Sequence, residues 1–230
     1  MKNRNKTALI LGATGLVGNE LVKILIQQKA YNKIHLLVRR PIEIKDPACE
    51  VHVVDFGQLH TYRELFQVTD VYCCLGTTIK KAKSKEAFRK VDYEYPVEAA
   101  KLASESGVEN FLIITAMGSN AKSKIFYNQV KGEVEESLGR LSLPSVHIFR
   151  PSLLLGERSE FRFGERIAAK ASAFINVLMV GPLRPYQAIE ARNVAAAMAA
   201  IAESSKSGVN IYPSHKIDQM AKEKNINKEL

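Results

Sequence analysis

The chain has 230 residues, of which 46% are hydrophobic and 25% charged. That is enough apolar material for a sizeable core, and it excludes a disordered chain, a collagen-like repeat or a disulfide-framed miniprotein. Thirty-three Lys and Arg against 24 Asp and Glu leave a net charge of +9, which favours an anionic partner (nucleic acid, acidic membrane or phosphorylated small molecule) without choosing among them.

Short apolar runs alternate with amphipathic segments as far as Arg150, the pattern of strands buried on both faces and joined by helical crossovers. Strands are expected at Thr7 to Leu11, Ile34 to Val38, Val51 to Val54, Val71 to Leu75, Phe111 to Thr115 and Val146 to Phe149, with a late one at Val209 to Tyr212. Helical periodicity falls at Leu16 to Gln28, Tyr93 to Ser106 and Phe126 to Leu138, with Gly107 closing the second. The expected fold is α/β, a Rossmann-type doubly wound parallel sheet, with residues 1–230 forming one domain. Regular alternation weakens after Gly156. Residues 157–205, with Phe161 to Val180 and the Ala-rich helix Ala191 to Glu203, are expected to form a small lobe over the strand ends, where such folds bind ligands. The polar tail from His215 to Leu230 is expected to fray.

Between the first strand and the first helix stands Gly12-Ala13-Thr14-Gly15-Leu16-Val17-Gly18. Gly12 permits a tight turn, Gly15 lets backbone N–H groups approach a pyrophosphate at the positive helix end, and Gly18 allows close helix–sheet packing. A glycine motif in this context points to dinucleotide binding rather than a purely structural turn. Where NAD-specific proteins place an acidic residue after the second strand, this chain has Arg39-Arg40. Two guanidinium forks suit a 2′-phosphate, so NADP (NADPH) is expected over NAD; the plainer alternative is a solvated arginine pair. Asp55, ending the third strand, either contacts the adenine or caps a strand-end turn.

Tyr127 and Lys131 are four apart on a predicted helix, so both side chains leave one face. An adjacent ammonium favours a phenolate, and Tyr127 could then exchange a proton with a carbonyl or alcohol oxygen while Lys131 also holds the nicotinamide ribose. The same spacing decorates ordinary surface helices. This pair, however, follows the fifth strand by about a dozen residues, where the fold brings a helix beside the cofactor.

Gly-Ala-Thr-Gly-Leu-Val-Gly, Tyr-Asn-Gln-Val-Lys and Arg150-Pro151-Ser152 together resemble short-chain dehydrogenases/reductases of the atypical, NmrA-like kind. Cys73-Cys74-Leu75-Gly76-Thr77-Thr78, Val91-Asp92, Lys131-Gly132-Glu133-Val134-Glu135 and Phe149-Arg150-Pro151 extend the resemblance to the Tat-interacting-protein-like oxidoreductases. It implies that Tyr127 and Lys131 are the catalytic pair and that Gly12, Thr14, Gly15, Leu16 and Val17 line the pyrophosphate. It further implies that Arg39 takes the 2′-phosphate, that Leu75, Gly76 and Thr77 pass beneath the ribose, and that residues from Arg150 onward close over the nicotinamide. The serine usual after the fifth strand is replaced by Thr115-Ala116-Met117, with Ser119 farther on. Thr115 either polarises a substrate oxygen or is the last buried residue of its strand.

Six basic residues lie between Lys80 and Lys90; they either guide an anionic ligand or acidic partner or form a solvated face. Nucleic-acid binding is not expected, since Phe88 alone makes no stacking platform. Five scattered histidines show no ligand spacing, so no metal is expected, and Cys73 and Cys74 read as buried apolar residues. The amino terminus lacks a signal peptide's apolar core, and no apolar run approaches the ~20 residues of a membrane span. The expectation is a soluble cytoplasmic protein, monomer or homodimer, acting on a small carbonyl or alcohol substrate. The competing expectation is an NADPH-binding sensor or scaffold without turnover.

Overall fold

In the computed structural model of the chain, which describes residues 6–156, 187–204 and 206–229, the alternation of the sequence becomes a doubly covered sheet. In β1 (Thr7–Leu11), Ala8 and Ile10 face one apolar cluster while Leu9 and Leu11 face another, so the strand is apolar throughout. The same burial on both faces marks the inner strands β2 (Lys33–Val38), β4 (Asp70–Cys73), β5 (Asn110–Ile114) and β6 (Ser145–Arg150), while β3 (Cys49–Val53) and, late in the chain, β9 (Gly208–Pro213) are more exposed edge strands. Among the described residues these make a seven-stranded sheet in the order β3-β2-β1-β4-β5-β6-β9, every pairing parallel. The order reverses between β1 and β4, which opens a crevice at their carboxyl ends. The expected strands all form, shifted by one or two residues at their ends.

One face carries α1 (Leu16–Gln28) and the helix Ala191–Ile201; the other carries the 3₁₀ segment Phe56–Phe66, α4 (Tyr95–Glu105) and α5 (Phe126–Leu138). Two short helices, α2 (Ile79–Ala82) and α3 (Lys85–Arg89), fill the basic stretch, and Ser84 caps the second by accepting the Ala87 N–H at 3.0 Å. The helix expected from Tyr93 begins instead at Tyr95, after a wide π-type turn over Lys90–Glu94. Pro96 is the cause: it has no N–H, and its ring crowds the carbonyl of Asp92 four residues back.

Two expectations about the later chain are corrected. The Ala-rich helix packs beside α1 within the helical layer, where Ala195, Ala197, Met198 and Ala199 are buried, rather than over the strand ends. The polar tail forms a helix, Ser214–Glu229, anchored by buried Ile217 and Ala221 and by an Asn193 amide that donates to Asp218 at 2.8 Å. A small parallel pair, β7 (Leu154–Leu155) with β8 (Ile189–Glu190), follows β6. The expected segment Phe161 to Val180 lies outside the described residues. Among the described residues no helix is long and apolar enough to cross a membrane.

Candidate functional site

The crevice begins at Gly12, whose backbone has φ +84° and whose missing side chain lets it lie against the tail of β4; a Cβ there would stand 2.7 Å from the Cys74 carbonyl oxygen. A Cβ on Gly18 would stand 2.2 Å from the Gly12 oxygen, so the first turn of α1 is seated directly on the loop. The Cys74 N–H, donating to Leu11 at 2.8 Å, fixes the opposite wall. Gly15 is the N-cap of α1, no side chain caps the helix, and no acidic residue lies in its first turn. Its first N–H groups and its positive dipole end therefore face the crevice, beside exposed Thr14 and Gly15. This bare backbone cradle fits a pyrophosphate, and Leu16 and Val17 continue it. Gly156, after β7, lies against the Leu16 side chain, so the chain beyond Arg150 passes over the same loop.

Arg39 and Arg40 follow β2 and are both exposed. Asp55 uses its carboxylate locally, accepting the Gly57 N–H at 2.8 Å as cap of the 3₁₀ segment. Leu75, Gly76 and Thr77 run from the end of β4 toward α2 as a half-exposed floor. Burial pushes the Cys73 thiol, just before them, up to about 12.

Tyr127 and Lys131 leave α5 near its amino end, and the structure supplies them with a partner that sequence reasoning missed. Asp92, on the π-type turn and 1% exposed, meets the Lys131 ammonium at 2.7 Å and accepts the Thr77 N–H at 2.9 Å through its other oxygen. One carboxylate thus joins the lysine to the loop proposed to underlie the ribose. Burial by itself draws the Lys131 ammonium down; Asp92 and then Tyr127 more than offset it, so its pKa lies above the ordinary lysine value. The Tyr127 ring stacks obliquely on buried Phe88, centroids 5.6 Å apart, and no described side chain hydrogen-bonds its hydroxyl. The signal for Asp92 stood in the sequence as Val91-Asp92, but the pattern gave it no role.

Thr115 and Arg150, both expected at the site, meet in a second buried cluster. The Thr115 hydroxyl donates to Glu135 at 2.6 Å, and Arg150 grips the same carboxylate through Nε at 3.0 and 3.1 Å and through Nη2. Thr115 is 4% exposed and Glu135 8%. The hydroxyl is therefore committed to the core, as a last buried strand-end residue would be. Ser119 is equally committed: its hydroxyl donates to the Ala116 carbonyl at 2.7 Å.

The loop after β5 crosses α5 at Gly132, where a Cβ would stand 2.1 Å from the Ala121 nitrogen. The Asn120 N–H donates to the Asn128 carbonyl at 3.0 Å, which pins loop to helix one turn from Lys131.

With this geometry agree the known proteins the chain is similar to. A family of NAD(P)H-binding proteins matches residues 12–141. Protein HTATIP2 of Rattus norvegicus is 39% identical over 173 residues, covering 74% of this chain and 71% of that one. Protein FMP52, mitochondrial, is 35% identical in Debaryomyces hansenii, covering 67% and 69% of the two chains, and 33% identical in Candida albicans, covering 82% and 86%. Among solved structures, a UDP-N-acetylglucosamine 4-epimerase from Methanobrevibacter ruminantium superposes with a TM-score of 0.69 at 13% identity, over 99% of this chain and 83% of that one. Bordetella bronchiseptica WbmH, in complex with NAD+, gives 0.69 at 11% identity over 98% and 83%; these two show the fold. The chain belongs to the NAD(P)H-binding family, in the NmrA-like atypical group of short-chain dehydrogenases/reductases.

Proposed function

We propose that the chain is an NADPH-dependent oxidoreductase that interconverts a carbonyl and an alcohol on a small substrate. One observation carries the reading: a Tyr127 hydroxyl that no described side chain bonds, beside a buried Lys131–Asp92 ion pair, at the same strand ends as an uncapped glycine loop. When bound, NADPH supplies the hydride that the carbonyl carbon accepts. Tyr127 donates its proton to the substrate oxygen, and the Lys131 ammonium stabilises the phenolate left behind, which regains a proton from solvent. Asp92 keeps that ammonium charged despite burial and holds Thr77 in place.

Gly12, Thr14, Gly15, Leu16 and Val17 bind the pyrophosphate through backbone N–H groups, and Arg39 with Arg40 binds the 2′-phosphate. Leu75, Gly76 and Thr77 underlie the ribose, and Asp55 shapes the turn at the adenine end. Thr115 is a positioning residue that holds Glu135 and, through it, Arg150. A second reading, an NADPH sensor without turnover, draws on that Thr115–Glu135 bond, which leaves the usual serine position without a free hydroxyl.

The two readings separate on Tyr127→Phe. With an active carbonyl substrate, kcat falls by about 100-fold or more while NADPH affinity is unchanged. A panel of carbonyls that leaves NADPH unoxidised at saturating protein overturns the enzyme. Equal affinities for NADPH and NADH, or a preference that survives Arg39→Ala, overturn the cofactor assignment.

A further inference from the structure

We propose that His35, Glu50 and His52 form a binding site for a divalent transition metal of the zinc class, on the outer strand pair β2–β3 and apart from the dinucleotide crevice. Parallel pairing sets His35 opposite Glu50, and His52 stands two residues farther along β3, so all three side chains leave one face of the sheet. Cys49 packs into the cluster on the opposite face and does not belong to the set.

The distances suit a small ion. His35 Nδ1 and His52 Nε2 are 2.9 Å apart, and the Glu50 oxygens lie 3.8 Å from the first and 3.9 Å from the second. Zinc bonds of about 2.0 Å at the tetrahedral angle place ligand atoms about 3.3 Å from one another, between those values. Shifts of a few tenths of an ångström complete three corners of a tetrahedron. The imidazoles are largely covered, at 15% and 19% exposure, while Glu50 is 47% exposed, which gives an entry side and room for a water at the fourth corner.

The donor chemistry is consistent. Across the 2.9 Å contact one ring nitrogen donates its hydrogen to the other. A metal ion takes its place when that hydrogen moves to the outer nitrogen of the same ring, leaving two lone pairs facing inward; no net proton and no oxidant is required. Glu50 Oε2 stays on the Lys33 ammonium at 2.7 Å while Oε1 turns toward the metal. Two imidazoles and one carboxylate favour zinc, copper or nickel over magnesium or calcium. The ion would tie edge strand β3 to its neighbour β2.

Titration of the full chain with Co2+, followed by competition with Zn2+, tests the site. The expected result is one equivalent of cobalt with tetrahedral visible bands, displaced by Zn2+, and a Tm raised by Zn2+. His35→Ala and His52→Ala each weaken cobalt binding at least about tenfold, and the double variant abolishes the bands. Lys33→Met, which removes the cation competing for Glu50, strengthens binding and needs no loss of fold to be read. The proposal is overturned by no stoichiometric binding, by bands that survive the double variant, by a sulfur-to-cobalt band assigning the metal to a cysteine, or by weaker binding in Lys33→Met.

Discussion

Polar side chains are buried at both ends of the sheet, and the two sets are built differently. From the amino ends of β4 and β5, a chain of hydrogen bonds crosses the interior. Asp70 accepts from Tyr31 and Asn110, each at 2.6 Å; Tyr31 meets Tyr72 at 2.7 Å; Asn110 leads to His147 at 3.4 Å and His147 to Tyr212 at 3.1 Å. Burial raises both tyrosine pKa values far above the ordinary value and lowers His147 to about 4, so the set is neutral apart from Asp70 and its distant Lys6, 3.8 Å away. At the carboxyl ends the buried groups sit in charged pairs, Lys131–Asp92 and Glu135 with half-buried Arg150, next to a tyrosine hydroxyl that no described side chain bonds. Charge is costly to bury, and neutral hydrogen bonds suffice to hold strands together. The buried Lys131 ammonium stands at the end of the sheet that carries the proposed cofactor crevice.

The largest expected effect breaks this contrast at its charged end. Asp92→Asn still accepts from Thr77 but leaves the Lys131 ammonium without a counter-charge, so urea unfolding should show a loss of about 3–5 kcal/mol. A loss under about 1 kcal/mol would show that the lysine is not held as a buried cation. Tyr31→Phe strips Asp70 of one neutral donor and is expected to cost about 1–3 kcal/mol, less than Asp92→Asn; the reverse ranking would make the amino-end network the more strained of the two. A third effect is one of pH. His147 titrates at about 4 in the folded protein against 6.5 in the unfolded chain, because burial and then Lys206 disfavour its charge. The unfolded chain therefore takes up a proton first, and stability falls as pH drops from 6.5 toward 4. His147→Gln should flatten the Tm profile in that window.

The sheet was legible because its inner strands are buried on both faces and so read as apolar runs, and the glycine loop because its chemistry is local. Asp92 was hidden for the opposite reason. It sits in the charged run Lys90-Val91-Asp92-Tyr93-Glu94, and only the widened turn ahead of Pro96 carries it inward to Lys131. His35 and His52, 17 residues apart, form no sequence motif; strand pairing alone joins them. Thr115 was readable either as a site hydroxyl or as a buried strand end, and Glu135, a helix away, settles what its hydroxyl touches. The helix Ser214–Glu229 escaped notice because its described apolar footing, Ile217, Met220 and Ala221, is short and set among polar neighbours.

Gly132 has a wider consequence. A rod lying on a sheet can roll about its own axis, and a roll of even a few degrees would swing the phenol away from a bound ring. The notch left by the absent side chain lets the crossing strand-to-helix segment drop into the rod like a key, with a prospective Cβ only 2.1 Å from the Ala121 nitrogen. The aim of Tyr127 is thus fixed at a position with no reactive group of its own, and enlarging that residue by a single methyl would misdirect the proposed proton donor without touching any atom of the proposed reaction.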